Sequence, residues 1–379
     1  MFVSCHQYSS QSGWDVTPCN SLDSTNTLVV IFGPSDFSLI ENGFAQLKKD
    51  FKSSRLMGCS TSGEIYGRVV NDNSMVVAIV KFEKSTIAVS NHELNGKENS
   101  RKTGEEIAQD LNAPDLKGVF VLSDGLHVNG SELVKGMANN MAPDVNVTGG
   151  LAGDGQRFEK TWTIADGVLS DNHVCAVGFY GEHVHVECQF GGGWDVLGPE
   201  RLVTRSESNV LYALDGQPAL DLYKKYLGER AAGLPATGLL FPLSIINSNE
   251  QNDITVRTIL GVNEDEKSIT FAGDIPQGSK VRLMRANYDR LIDGASDGAR
   301  LLKKDAAAAA ESIFFGISCV GRRMVLGQRT EEELEAVIDE LPLKNKLVGF
   351  YSYGEISTDH NQRCDLHNQT MSLTAVWED

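Results

Sequence analysis

A strand–helix–strand unit written three times limits what this chain can fold into more than any other feature. The stretches "LMGCSTSGEI" (56–65) and "LVGFYSYGEI" (347–356) share an apolar pair, a Gly, small or aromatic residues and a closing Gly-Glu-Ile. Each lies within a longer repeat. In the first copy "TLVVIFGP" (27–34) is a β-branched run stopped by Gly-Pro, a buried-strand signal. In "SDFSLIENGFAQLKKDF" (35–51) Phe37, Ile40, Phe44 and Leu47 recur at helical spacing, with Ser35 or Asp36 placed to cap the start. The strand "RLMGC", the small-residue turn and the alternating "MVVAIVKF" (75–82) follow. The second copy runs "GVFVLSDGLHVNG" (118–130), "SELVKGMANNM" (131–141), "VNVTGGLAGDG" (145–155) and "VCAVGFYG" (174–181). The third runs "SIFFGISCVGRR" (312–323), "TEEELEAVIDEL" (330–341), "KLVGFYSYGEI" and "MSLTAVWE" (371–378), and Thr330 with Glu333 reads as a capping box.

A strand–helix–strand unit favours a parallel pair with a right-handed crossover, and ligands of open α/β sheets bind at the carboxyl ends of such strands. The expected fold is therefore α/β: repeated units forming two pseudo-equivalent mixed-sheet domains, with a ligand pocket at the strand ends. Residues 28–215 read as the first domain, holding two repeats, and 216–377 as the second, holding the third repeat at 312–378. The β-like runs at 238–246, 253–262, 268–275 and 279–287 and the long helix at 289–310 lie between repeats two and three. Aligning Asp154 with Glu64 and Glu355 makes the Gly-acid turn common to all three.

The net charge of −17 opposes phosphate backbones and anionic membranes, so nucleic acid and membrane are not expected partners. Seven scattered cysteines without a CxxC read as reduced thiols of a cytoplasmic protein, and no leader or apolar span is visible. No complete Walker, HExxH or G-x-S-x-G pattern occurs, so a non-catalytic role is expected.

Several stretches resemble the FIST family: "GCSTSGEI", "GGLAGDG" and "GGGWDVLGP" in the first half, then "QPALDLYKKYLG", "FPLSI", "GDIPQGSKVRLMRAN", "GISCVGRR", "GFYSYGEI" and "LHNQTMSL". The resemblance spans about residues 28 to 377. It implies an N-terminal and a C-terminal FIST domain and a sensory role in signal transduction. A small ligand would be bound and reported to a partner. Stand-alone members of the NosP type imply haem b, nitric oxide, and a histidine kinase or cyclic-di-GMP enzyme as partner. An amino acid, another small metabolite or zinc is the alternative ligand, and a thiol enzyme a remote one.

The candidate site residues follow from side-chain chemistry. In "DHNQRCDLHNQ" (359–369), His360, Cys364 and His367 have the donors that zinc or haem iron prefers, with His367 the axial candidate. Tyr351 and Tyr353 would share a face and stack on a flat ligand. Cys59, Ser60, Glu64, Asp154, Glu355 and Arg322 would complete the lining. Cys59 and Cys319, read as lying just past strands, could react if a cation lowered their pKa.

Overall fold

The computed structural model describes residues 1–246, 254–306, 311–341, 346–359 and 361–379. The chain is α/β with mixed sheets, and the repeat governs its architecture. In the first unit the parallel strands Thr27–Gly33 and Arg55–Ser60 flank the helix Glu41–Asp50, and Ser74–Lys81 pairs antiparallel with the first of them. The second unit repeats this with Leu116–Ser123, Asn146–Leu151 and His173–Tyr180, and the third with Ser312–Cys319, Leu347–Ser352 and Met371–Glu378. All three sheets therefore have the same internal strand order. Each unit also begins with a strand that pairs with its own last strand: Phe2–Ser9, Thr86–Glu93 and Val184–Gly191.

The units are interlocked by their hairpins. After its second parallel strand each unit sends a hairpin into another unit's sheet. Glu64–Tyr66 of the first unit pairs with Leu347–Ser352 of the third. Gly354–Thr358 of the third pairs with Asn146–Leu151 of the second. Thr163–Ala165 of the second pairs with Arg55–Ser60 of the first. The exchange closes a ring. One apolar core at its centre takes side chains from all three sheets, including Val30 and Met57, Leu122 and Val177, and Ile317 and Val348. Aromatic pairs bridge each sheet to the next: Phe32 to Phe350 at 4.9 Å, Phe120 to Phe315 at 4.8 Å and Phe82 to Phe179 at 5.7 Å between ring centres. Helices cover the outer faces. Phe44 and Leu47 pack on the first sheet, Ile107 and Leu133 on the second, and Ala295 and Leu334 on the third.

A further nine-stranded sheet, formed within 195–285, is inserted into the third unit between Val184–Gly191 and the helix Tyr288–Ala306. It carries its own core, with Phe271 and Val281 against Leu220 and Tyr223 of the helix Ala219–Leu227. Gly228, at φ +58°, ends that helix.

Two local expectations are corrected. Asp36 caps the short 3-10 turn Phe37–Leu39, accepting from the Ser38 amide, and the following helix starts only at Glu41. Thr330 and Glu333 form no capping box. The Thr330 hydroxyl donates back to the carbonyls of Gly327 and Arg323, and Glu333 is fully buried on other partners.

Candidate ligand clefts at the strand crossings

The repeated Gly-Glu-Ile marks the point where the chain leaves one sheet for another. The Glu64 carboxylate accepts from the Thr61 hydroxyl at 2.6 Å and from the amide and hydroxyl of Ser74, both at 3.1 Å. Glu355 repeats the pattern with the Ser352 hydroxyl at 2.7 Å, the Thr370 amide at 3.2 Å and the Thr370 hydroxyl at 2.9 Å. In each copy the acid ties the crossing to the residue that opens or precedes the unit's last strand. Burial pushes the Glu64 carboxyl up to about 7 and that of Glu355 up to about 8, against the opposing pull of these hydrogen bonds.

Asp154 is not the third member of this set, which corrects the sequence alignment. In the sheets Glu64 stands opposite Phe350, Glu355 opposite Gly150, and Thr163 opposite Cys59. Thr163 thus occupies the acid's place. The second crossing is longer, and Asp154 braces it by accepting from the amides of Phe158, Glu159 and Lys160 at 2.8–3.0 Å and from the Tyr353 hydroxyl. Burial alone would raise its pKa, but these hydrogen bonds hold it below the usual carboxylate value.

The crossings of the first and third units are in contact: the Ser62 amide donates to the Tyr351 carbonyl at 2.8 Å and the Tyr351 amide to that of Gly63 at 2.9 Å. Beside them open two clefts in corresponding places of the repeat. Gly58 and Gly349 are 291 positions apart, and the same offset carries Ser62 onto Tyr353. Tyr353 lines a cleft of about 520 Å³ with Asn129 and Phe158 of the second unit and Asn209, Leu260 and Phe271 of the inserted sheet. The Phe158 ring lies flat on Tyr353, 4.4 Å between centres. Ser62 lines a cleft of about 600 Å³ with Val70, Gln156, Arg323, Gln328 and Glu331. The third equivalent place, beyond Thr27–Gly33, is filled. Trp162 is buried there, edge-on to Phe37 with its indole N–H donating to the Pro34 carbonyl at 3.0 Å, and Arg157 donates to the Ser35 hydroxyl at 2.7 Å.

The other expected site residues lie away from both clefts. Cys59 and Cys319 sit within strands, not past them; both are buried, burial raises both thiols, and that of Cys319 is pushed up to about 12. Neither is an activated thiolate. Ser60 is buried and accepts from the Trp162 amide. Tyr351 and Tyr353 do not share a face. Tyr353 is the crossing residue itself, so alternation breaks there, and Tyr351 packs in the core outside the third sheet while Tyr353 packs outside the second. Cys364 and His367 are three apart on the strand Cys364–His367 and project to opposite faces, so no loop turns them onto one ion. His360 lies outside the described residues. Among the described residues no group of three His, Cys, Asp or Glu side chains is placed to hold a metal. His367 packs its ring 4.0 Å from that of Phe190 with Nε2 3.3 Å from the Ser357 carbonyl, and neither cleft is lined by His or Cys. These side chains do not fit an axial haem ligand.

Sequence reasoning placed Arg322 at a ligand. It is instead fully buried, held by Glu333, with Nε donating at 2.8 Å and Nη2 2.6 Å from the same carboxylate oxygen. The Ser318 and Tyr351 hydroxyls also donate to Glu333, and Arg322 reaches the carbonyls of Gly192 and Leu291. This pair fixes the third unit to the start of the inserted segment, and only the neighbouring arginine belongs to a cleft.

Comparison with known proteins finds two family models along the chain, with their boundary inside the inserted sheet. The model of the FIST N domain matches residues 27–217 and that of the FIST C domain residues 219–358. An uncharacterized protein of Methanocaldococcus jannaschii is 24% identical over 371 aligned residues, covering 88% of this chain and 69% of its own length. Among solved structures, cyanuric acid hydrolase from A. caulinodans aligns over 78% of this chain and 99% of its own at 9% identity, with a TM-score of only 0.19. No helix of the described residues is long and apolar enough to cross a membrane.

Proposed function

Because the chain belongs to the FIST family, whose domains are generally sensory, we propose that it is a non-catalytic sensor whose small-molecule ligand enters the cleft between the second unit and the inserted sheet. The observation that carries this reading is that the cleft draws its walls from both bodies, Phe158 and Tyr353 on one side and Asn209, Leu260 and Phe271 on the other. A ligand touching both biases their relative position, and a partner that contacts both reads that position. The inserted sheet meets the rest beside this cleft through polar contacts: Asn129 and Lys135 donate to Asp274 at 3.3 and 3.2 Å, and Arg257 donates to the Leu366 carbonyl at 2.6 Å. Aromatic walls with amides among them suit an amino acid or similar metabolite with one apolar and one polar end. A histidine kinase or a cyclic-di-GMP enzyme is the proposed recipient of the signal.

The test is a thermal-shift screen against amino acids and small metabolites, with wild type beside Leu260→Trp. Leu260 is 48% exposed, so an indole there obstructs the mouth without disturbing a core. The expected result is at least one compound that raises the wild-type Tm and leaves the variant's unchanged. Equal shifts in both proteins would remove the cleft from the reading. A Soret band on adding haem, shifting with nitric oxide, would replace the metabolite with haem.

A further inference from the structure

We infer that the second cleft, beside Ser62, is a separate binding site for small organic carboxylates, with Arg323 as the recognition group and Asp72 as a built-in stand-in for the ligand. The Arg323 guanidinium is only partly exposed and lies 5.7 Å from the centre of the Tyr351 ring. Its Nη1 donates to the Ser62 carbonyl at 2.6 Å and to one Asp72 oxygen at 2.8 Å, and its Nη2 donates to the other at 2.7 Å. A carboxylate is therefore already seated on the planar fork in the bidentate manner that arginine favours. It comes from an exposed side chain, 60% accessible, on the turn between Val69–Asn71 and Ser74–Lys81. The Asp72 side of the pair is open to water and salt, so an incoming carboxylate, offering the same two oxygens, competes with it for the fork.

The surroundings suit an exchange. The cleft holds about 600 Å³, more than one carboxylate needs; the side chains of Gln156 and Gln328 offer amide donors, beside Val320, Met324 and a Glu331 carboxylate that accepts from the Val70 amide at 3.3 Å. The guanidinium lies close over the turn: its Nη1 bonds the Ser62 carbonyl at 2.6 Å and would be 2.4 Å from a Cβ on Gly63, whose φ of +129° itself favours glycine. Displacing Asp72 would also have a consequence beyond the cleft. Two residues on, Ser74 gives both its amide and its hydroxyl to Glu64. Release of the turn is thus felt at the crossing between the first and third units. This site shares no lining residue with the cleft of the proposed sensor, and the two stand or fall separately.

The experiment is calorimetric titration of the full chain with acetate, malonate, succinate and glutarate. Wild type is expected to bind at least one dicarboxylate in the millimolar range. Asp72→Asn, which removes the competing charge and keeps the side-chain shape, should bind it about tenfold tighter. Arg323→Gln should bind at least tenfold more weakly. Gln328→Glu, at an exposed position, places a negative charge in the lining and should weaken binding several-fold without affecting the fold. Leu260→Trp should bind as wild type does. Absence of binding to all four anions in both wild type and Asp72→Asn overturns the site. So does binding that survives in both Arg323→Gln and Gln328→Glu.

Discussion

The first and third crossings solve one problem with a buried glutamate; the second crossing solves it without one. At Glu64 and Glu355 the acid gathers a hydroxyl three residues upstream and an amide with its hydroxyl at the start of the last strand. In the second unit every participant has changed together. The offset of 91 that carries Gly58 to Gly149 puts Ala152 where Thr61 and Ser352 stand, and the sheet register puts Thr163 where the glutamates stand. A carboxylate there would lack its upstream hydroxyl donor. The longer loop braced by Asp154 fills the gap, and the same loop inserts Trp162 into the cleft that the other units leave open. A closed cleft goes with the changed crossing, and open clefts go with the conserved one.

Removing an acid is the strongest way to break this comparison. Glu355→Ala leaves three buried donors without an acceptor. At about 1–3 kcal/mol for each unsatisfied buried group, partly relieved by repacking, the expected loss is about 3–5 kcal/mol. Glu64→Ala should cost a similar amount, because its three donors match in kind and burial. Urea denaturation of both variants measures this. A cost below about 1 kcal/mol at either position, when the other is large, would mean that the two crossings are alike in outline and not in energetics.

The two acids also give the protein a pH dependence that the second crossing cannot contribute. Their pKa values are raised in the folded state, from the ordinary 4.5 to about 7 and about 8. A raised acid favours folding while it is protonated. Its contribution is complete below pH 4.5 and is lost as pH climbs through the folded values. Stability should therefore fall between about pH 5 and 8, by at most roughly 3 kcal/mol for Glu64 and roughly 5 kcal/mol for Glu355. Gln mimics the protonated acid, so Glu64→Gln with Glu355→Gln should flatten that part of the curve. Tm measured from pH 5 to 9 tests it, and a double variant with the wild-type slope would assign the dependence elsewhere.

The sequence disclosed the units because their strands are buried on both faces and read as continuous apolar runs, as in "TLVVIFG" and "SIFFGISC". It disclosed the crossings because Gly-Glu is an unusual pair to bury twice. It did not disclose the exchange of hairpins. Glu64–Tyr66 is three residues long, and nothing in its composition says which sheet it joins; that choice rests on the whole core. The clefts were legible only at Tyr353, since Phe158, Asn209 and Leu260 come from segments with no motif of their own. Donor chemistry misled at Cys364 and His367, because spacing that suits a loop places the two on opposite faces once the segment pairs as a strand. At Arg322 a charge that looked available had its partner, Glu333, hidden in an apparent helix cap.

The smallest expected effect is the sharpest test of why the second crossing differs. Thr163 is 1% exposed and its hydroxyl has no hydrogen-bond partner among the described residues. A hydroxyl buried without a partner costs free energy that a methyl does not, so Thr163→Val should leave stability unchanged or raise it by about 0.5–1 kcal/mol. The nearly isosteric change creates no cavity. Thr163→Glu should do the opposite and destabilise by more than either glutamate's removal from its own site, because the new carboxylate would find Ala152 where Glu64 finds Thr61. Denaturation midpoints of the two variants, read beside Glu64→Ala, decide between two accounts of the Gly-Glu pair. If Thr163→Glu is tolerated, the acid is a local preference of the turn. If it is not, the acid and its hydroxyl donors form one unit, and the second crossing lost them as one.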